Sequence, residues 1–152
     1  MNTRAFKASW IILVALGCLS ILSGLVLIVA PELFLADEFT GYVGQPFEQF
    51  AASNPGATSF FMLEAAELGT FMIALSVASI VVTLCAYRKG LKWAWWLALF
   101  IVTVGFGGPV LADIPTKAWQ VTGPLMVMLV AGWIALALGA GPILRPAAGP
   151  AA

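Results

Sequence analysis

Four apolar stretches, each near or beyond the roughly 20 residues a helix needs to cross a bilayer, constrain this chain more than any other feature. They run over about 10–30, 60–87, 93–112 and 121–144. In hydrocarbon the backbone has no water to bond, so each stretch is predicted to be a helix. Of the 152 residues, 62% are hydrophobic and 9% charged, against about 25% charged in an ordinary soluble domain. A small soluble domain leaves too much surface in water to hide so much apolar area. The expected fold is all-α: one integral membrane domain, a four-helix bundle of up-down topology.

The basic residues set an orientation. Arg4 and Lys7 precede the first stretch, Arg88, Lys89 and Lys92 separate the second from the third, and Arg145 follows the fourth. In an up-down bundle all three groups fall on one side. The other side holds Glu32, Asp37, Glu38 and Glu48, with Lys117 as its base. An excess of Lys and Arg marks the cytoplasmic side, so both termini are expected in the cytosol and the protein in the cell (inner) membrane. The first stretch exceeds the 7–15 apolar residues of a signal-peptide core, and Pro31 follows it, so it is read as a retained span.

The connections differ in length. Arg88-Lys89-Gly90 and Ile114-Pro115-Thr116-Lys117 are tight, which predicts antiparallel sequential neighbours. The segment from Pro31 to Ser59 is long, and within it Pro46-Phe47-Glu48-Gln49-Phe50-Ala51-Ala52 reads as a short amphipathic helix in the first extracytoplasmic loop. Phe47, Phe50 and Ala51 share a face at spacings of three and four. That helix is expected either to lid the bundle or to rest among the headgroups. Trp10, Trp93, Trp95 and Trp96 suit one headgroup layer and Trp119 the other. Trp133 falls mid-span.

Membrane helices associate by close backbone approach, so small residues mark interfaces. Three ridges are expected: Ser20 and Gly24 on the first span, Thr70, Ala74 and Ala78 on the second, and Ala131, Ala135 and Gly139 on the fourth. Gly105, Gly107, Gly108 and Pro109 predict a kink or unwound turn in the third.

Several function classes are disfavoured. Histidine is absent and net charge is zero. No basic stretch tracks a phosphate backbone, so nucleic acid is not an expected partner. No spacing of ligands suggests a metal, and no fingerprint suggests a nucleotide; no cofactor is expected. Cys18 and Cys85 match no redox pattern and are read as buried free thiols. An enzyme is the less favoured class.

The sharpest polar feature is Glu64 with Glu67, three residues apart and so on one helix face. That face continues through Phe71 and Ala74, which points the acids toward neighbouring helices. Asp113 ends the third span on the same side of the membrane, with Gln120 and Lys117 near it in sequence. Glu64, Glu67, Asp113 and Gln120 are therefore candidate binding residues of an outward polar cup for a cation, a headgroup amine or a hydrophobic cationic ligand. Two close carboxylates share a proton readily, which would suit proton exchange or acid–base work. The plainer reading makes both glutamates first-turn residues favoured by the helix dipole.

The layout resembles the DoxX-like small four-helix membrane proteins of bacteria. The first span closes with Ala30-Pro31-Glu32-Leu33-Phe34, and the second opens with Glu64-Ala65-Ala66-Glu67-Leu68-Gly69. The resemblance covers roughly residues 6–144. Many relatives carry an arginine near the second-span acid, and this chain has none there. In helix count the group is similar to sterol-isomerase-like proteins, which set buried acids against cationic ligands; this implies Glu64, Glu67 and Asp113 as binding residues.

Three functions stay open. One is a binding or accessory membrane protein for a lipid or hydrophobic cation. Another is a structural subunit, in a homo-oligomer or a larger membrane complex. The third is a small proton-coupled transporter or membrane enzyme. Membrane lipids are partners in each.

Overall fold

The computed structural model describes residues 3–116 and 119–144. Within them the chain is helical throughout its elements. These are α1 (Arg4–Val29), α2 (Glu32–Val43), α3 (Phe47–Ser53), α4 (Pro55–Cys85), α5 (Lys92–Asp113) and α6 (Trp119–Leu144), with short 3-10 turns at Tyr87–Lys89 and Ile114–Thr116. Four helices, α1, α4, α5 and α6, are long and apolar enough to cross a membrane. By length and composition these four helices fit a multi-pass membrane protein.

Local chemistry sets the boundaries. The Thr3 hydroxyl accepts the Phe6 amide at 3.3 Å and starts α1, a capping role suited to its side-chain oxygen. Pro31 breaks the chain after α1 and leads into α2. Gly44, at φ 73°, ends α2 in the left-handed conformation, and Gly90, at φ 78°, turns the chain between α4 and α5. Glycine adopts that region without the Cβ penalty.

The long connection holds two helices where the sequence pointed to one. Helix α3 starts one residue after the expected Pro46. Helix α2 is an addition to that reading, although Pro31 before it, Glu32 at its start and Gly44 after it follow the proline-first, glycine-last pattern of helix ends. Of the two outcomes expected at Gly105–Pro109, the unwound turn is not found, because α5 continues through these residues as helix. Proline there removes one donor, and a helix otherwise fully bonded tolerates the loss where glycines give the preceding turn room.

Packing runs in the order α4, α1, α6, α5. Helix α1 is the shared neighbour of α4 and α6, and α6 joins α5 to the rest. Helices α4 and α5 follow each other in sequence yet touch little. The α1–α4 seam is built on small residues. Gly24 faces Gly69, and Gly17 faces Ile80 and Ser76, so residue numbers rise along α1 as they fall along α4. In the α5–α6 seam the side chain of Val102 fills the space over Gly132, and Gly107 meets Leu129.

The buried surface of α4 is Ala65, Gly69, Ser76 and Thr83. The expected ridge of Thr70, Ala74 and Ala78 lies on its exposed side, a correction to the reading from small residues alone. The ridges on α1 and α6 fare better: Ser20, Gly24, Ala135 and Gly139 are buried and Ala131 half-buried.

The deepest core gathers at the end of the bundle that holds the Tyr87 turn. Phe6, Leu13, Ala86, Tyr87, Ala94, Trp95, Leu136 and Ile143 belong to one cluster there. Tyr87 is fully buried, its hydroxyl 2.7 Å from Ser9 Oγ and its ring stacked on Phe6. The Trp95 indole N–H donates to the Leu136 carbonyl at 3.0 Å. Trp95 is thus a core residue and not part of the expected headgroup belt, whereas Trp93, Trp96 and Trp119 are exposed. Trp133 donates to Thr103 Oγ1 at 3.1 Å. Arg88 sets its guanidinium 5.1 Å from the Trp10 ring centroid, a cation–π contact.

Cys18 and Cys85 are free and exposed, not buried as the sequence led us to expect. A helix with one or two neighbours keeps a wide outward face, and a thiol suits lipid tails as well as it suits a protein core.

Candidate functional site

Glu64 and Glu67 lie on α4 well inside the helix. Helix α4 begins at Pro55 and has no acid in its first turn, so neither glutamate serves as a dipole-capping first-turn residue. Depth follows from register. Gly69 sits against Gly24, Leu27 and Ile28. Glu67, two residues earlier on an antiparallel helix, is level with the last turn of α1, which ends at Val29. Glu64 is level with the joint between α1 and α2. Both acids therefore stand where α1 passes from apolar to polar sequence.

Both are exposed. The face they share does continue through Phe71, itself 71% exposed, and Ala74. That face turns away from α1 and the rest of the bundle, not toward it. The expectation that it meets other helices is corrected by the glycine and serine face that α4 presents to α1. Within the described residues neither glutamate makes a hydrogen bond or ion pair. Neither is joined to Asp113.

Asp113 is the last residue of α5 and is half-buried. It has its own interactions. Because α4 and α5 hardly meet, the three carboxylates do not form one packed cluster. The side chain of Gln120, and the whole of Lys117, lie outside the described residues. Among the described residues no group of acids, cysteines or histidines is placed to hold a metal.

An aromatic cluster that sequence reasoning did not foresee stands beside Glu64. Phe39 of α2 meets Phe47 at 5.4 Å, Phe50 at 4.6 Å and Phe61 of α4 at 6.0 Å between ring centroids. Phe60 meets Phe61 at 6.2 Å. Phe60 and Phe61 are four and three residues before Glu64, so they are its neighbours along the helix surface. The signal was present in the spacing of Phe47 and Phe50; its partner Phe39 was hidden in a segment read as loop. Helix α2 also packs against the Ile114–Thr116 turn and α6. The pair α2–α3 thus straps the ends of α1, α4, α5 and α6 together.

The site offers unpaired carboxylates beside aromatic rings, at the level where the first span ends. Carboxylates attract cations, and aromatic faces favour ammonium groups. No family model, no curated protein and no solved structure matches the chain.

Proposed function

We propose that this chain is a binding or accessory protein of the cell membrane, whose extracytoplasmic end takes a lipid headgroup amine or another hydrophobic cation. In this reading the four spans run up and down, the Tyr87 turn and both termini are cytoplasmic, and α2–α3 lies outside. The DoxX-like resemblance belongs to the same reading, as do Glu64 and Glu67 as ligand-facing acids, with Asp113 and Gln120 across the end of the bundle.

The observation that supports it most is the position of Glu67: an unpaired acid on an exposed face, level with the final turn of a neighbouring span. A charged side chain is costly toward the bilayer centre and less so near its edge. A cationic headgroup at that depth would offset the cost by direct pairing. The neighbouring Phe60 and Phe61 would give the ligand's apolar part a surface.

Native mass spectrometry of the gently extracted protein tests this. The account expects a retained amine-bearing lipid or small cation, lost when Glu64→Gln and Glu67→Gln are combined. A ligand retained equally by the double variant rejects the assignment.

A second reading, a subunit of a larger membrane assembly, draws support from α4. That helix packs along only one long neighbour and turns Phe71, Ala74 and Ala78 outward. The same spectrum separates the two, because a subunit would carry protein partners in place of a small ligand.

A further inference from the structure

The bundle is closed unevenly around its perimeter. Three seams, α4–α1, α1–α6 and α6–α5, are packed along the helices, whereas the fourth side, between α4 and α5, has little direct contact. At one end that side is closed covalently by the Tyr87–Leu91 turn, over the core cluster of Tyr87, Ala94 and Trp95. At the other end, among the described residues, it is closed through the strap. Helix α3 and Phe39 hold the start of α4, and α2 holds the Ile114–Thr116 turn that ends α5.

Packing of α5 fades toward the strap. Ala94, Trp95, Ala98 and Val102 are buried, but beyond Val102 only Val110 is. Gly105 and Gly108 meet nothing within 4 Å of an added Cβ. Pro109 follows them and lacks a backbone donor, which weakens the helix at that point. The strap itself has a glycine joint at Gly44, also free of neighbours.

We propose that the α4–α5 side is a lateral gate, hinged at the Tyr87 turn and latched at the far end by Phe39 of the α2–α3 strap. Opening exposes the α4–α5 seam to the surrounding bilayer. Resting on the binding role proposed above, the gate gives the apolar part of a membrane-dissolved ligand sideways entry beneath the strap. Its existence is measured without any ligand, so its failure is separate from failure of that role.

The test is electron–electron double resonance on the full chain in lipid nanodiscs, with Cys18 and Cys85 replaced by alanine. One spin-labelled pair, Leu63→Cys with Leu111→Cys, spans the gate; both positions are exposed. A reference pair, Ile11→Cys with Phe100→Cys, spans α1 and α5, again at exposed positions. The gate pair is expected to give a broad or two-peaked distance distribution and the reference pair a narrow one. Phe39→Ala lengthens the gate distances and leaves the reference alone. Gly105→Ala with Gly108→Ala, which adds methyls into open space, narrows the gate distribution. A gate pair as narrow as the reference and unmoved by Phe39→Ala overturns the proposal. So does broadening of both pairs together in Phe39→Ala, which would make Phe39 a fold residue and not a latch.

Discussion

Gly24 and Gly69 bring the backbones of α1 and α4 together: a Cβ on Gly69 would stand 2.5 Å from the Gly24 carbonyl oxygen, and one on Gly24 would stand 2.7 Å from the Gly69 carbonyl oxygen. Backbone cannot step aside as a side-chain tip does. Gly69→Ala is therefore expected to push the helices apart and cost about 1–3 kcal/mol, the usual range for overpacking. Reversible unfolding in mixed detergent micelles measures it. Gly105→Ala, where the methyl meets nothing, is the control and should not lower stability.

The Tyr87 hydroxyl and Ser9 form a buried hydrogen bond 78 residues apart in sequence. Tyr87→Phe should cost about 0.5–1.5 kcal/mol, the net worth of such a bond. Adding Ser9→Ala should then cost less than it does alone, because the partner is already gone. Gly139→Ala drives a methyl into the Tyr87 hydroxyl and is expected to be worse than Tyr87→Phe. A double-mutant cycle read by the same unfolding assay decides both.

The two indole bonds differ in setting. That of Trp95 is buried and that of Trp133 exposed. Trp95→Phe is expected to destabilise by about 1 kcal/mol or more, since the lost bond lies in a low-dielectric core. Trp133 lies mid-span and faces hydrocarbon, where an interhelical hydrogen bond is worth about 0.6 kcal/mol, so Trp133→Phe should cost about that much.

These contrasts show what the sequence held. The spans were legible because twenty apolar residues in a row leave no other solution in lipid. Which face of each span is buried was not. In water, polarity marks the outside; in hydrocarbon, Phe71 and Leu75 are as content outward as inward. Thr70-Ala74-Ala78 and Gly69-Ser76-Thr83 are both small-residue stripes on α4, and nothing local chooses between them. The choice comes from Gly24 and Gly17 on α1, which match the second stripe. The acids followed the same error. They were found by type and spacing, but their direction depended on which stripe met α1. Phe39 was missed because a twelve-residue helix sat inside what read as a connection.

Glu64→Gln and Glu67→Gln are expected to leave stability within about 0.5 kcal/mol of the parent, since both side chains are exposed and unpaired. Any larger loss in the unfolding assay would give them a structural role that their surroundings do not explain.

Cys18 is exposed on the isolated chain and falls in the middle of α1. A charged, water-soluble reagent stays out of hydrocarbon. A water-soluble maleimide should therefore label Cys18 slowly in vesicles and quickly once the protein is denatured, as gel shift or mass spectrometry would show.

The claim on which the rest stands is that α1, α4, α5 and α6 each cross the bilayer. Sided labelling tests it most directly, with single cysteines at Thr3, Ser53, Lys89, Ile114 and Leu144 in a cysteine-free chain, in sealed vesicles of known orientation. Four crossings with cytoplasmic termini require an impermeant reagent to reach Thr3→Cys, Lys89→Cys and Leu144→Cys from the cytoplasmic face alone, and Ser53→Cys and Ile114→Cys from the opposite face alone. Labelling of all five from the same face would contradict the account.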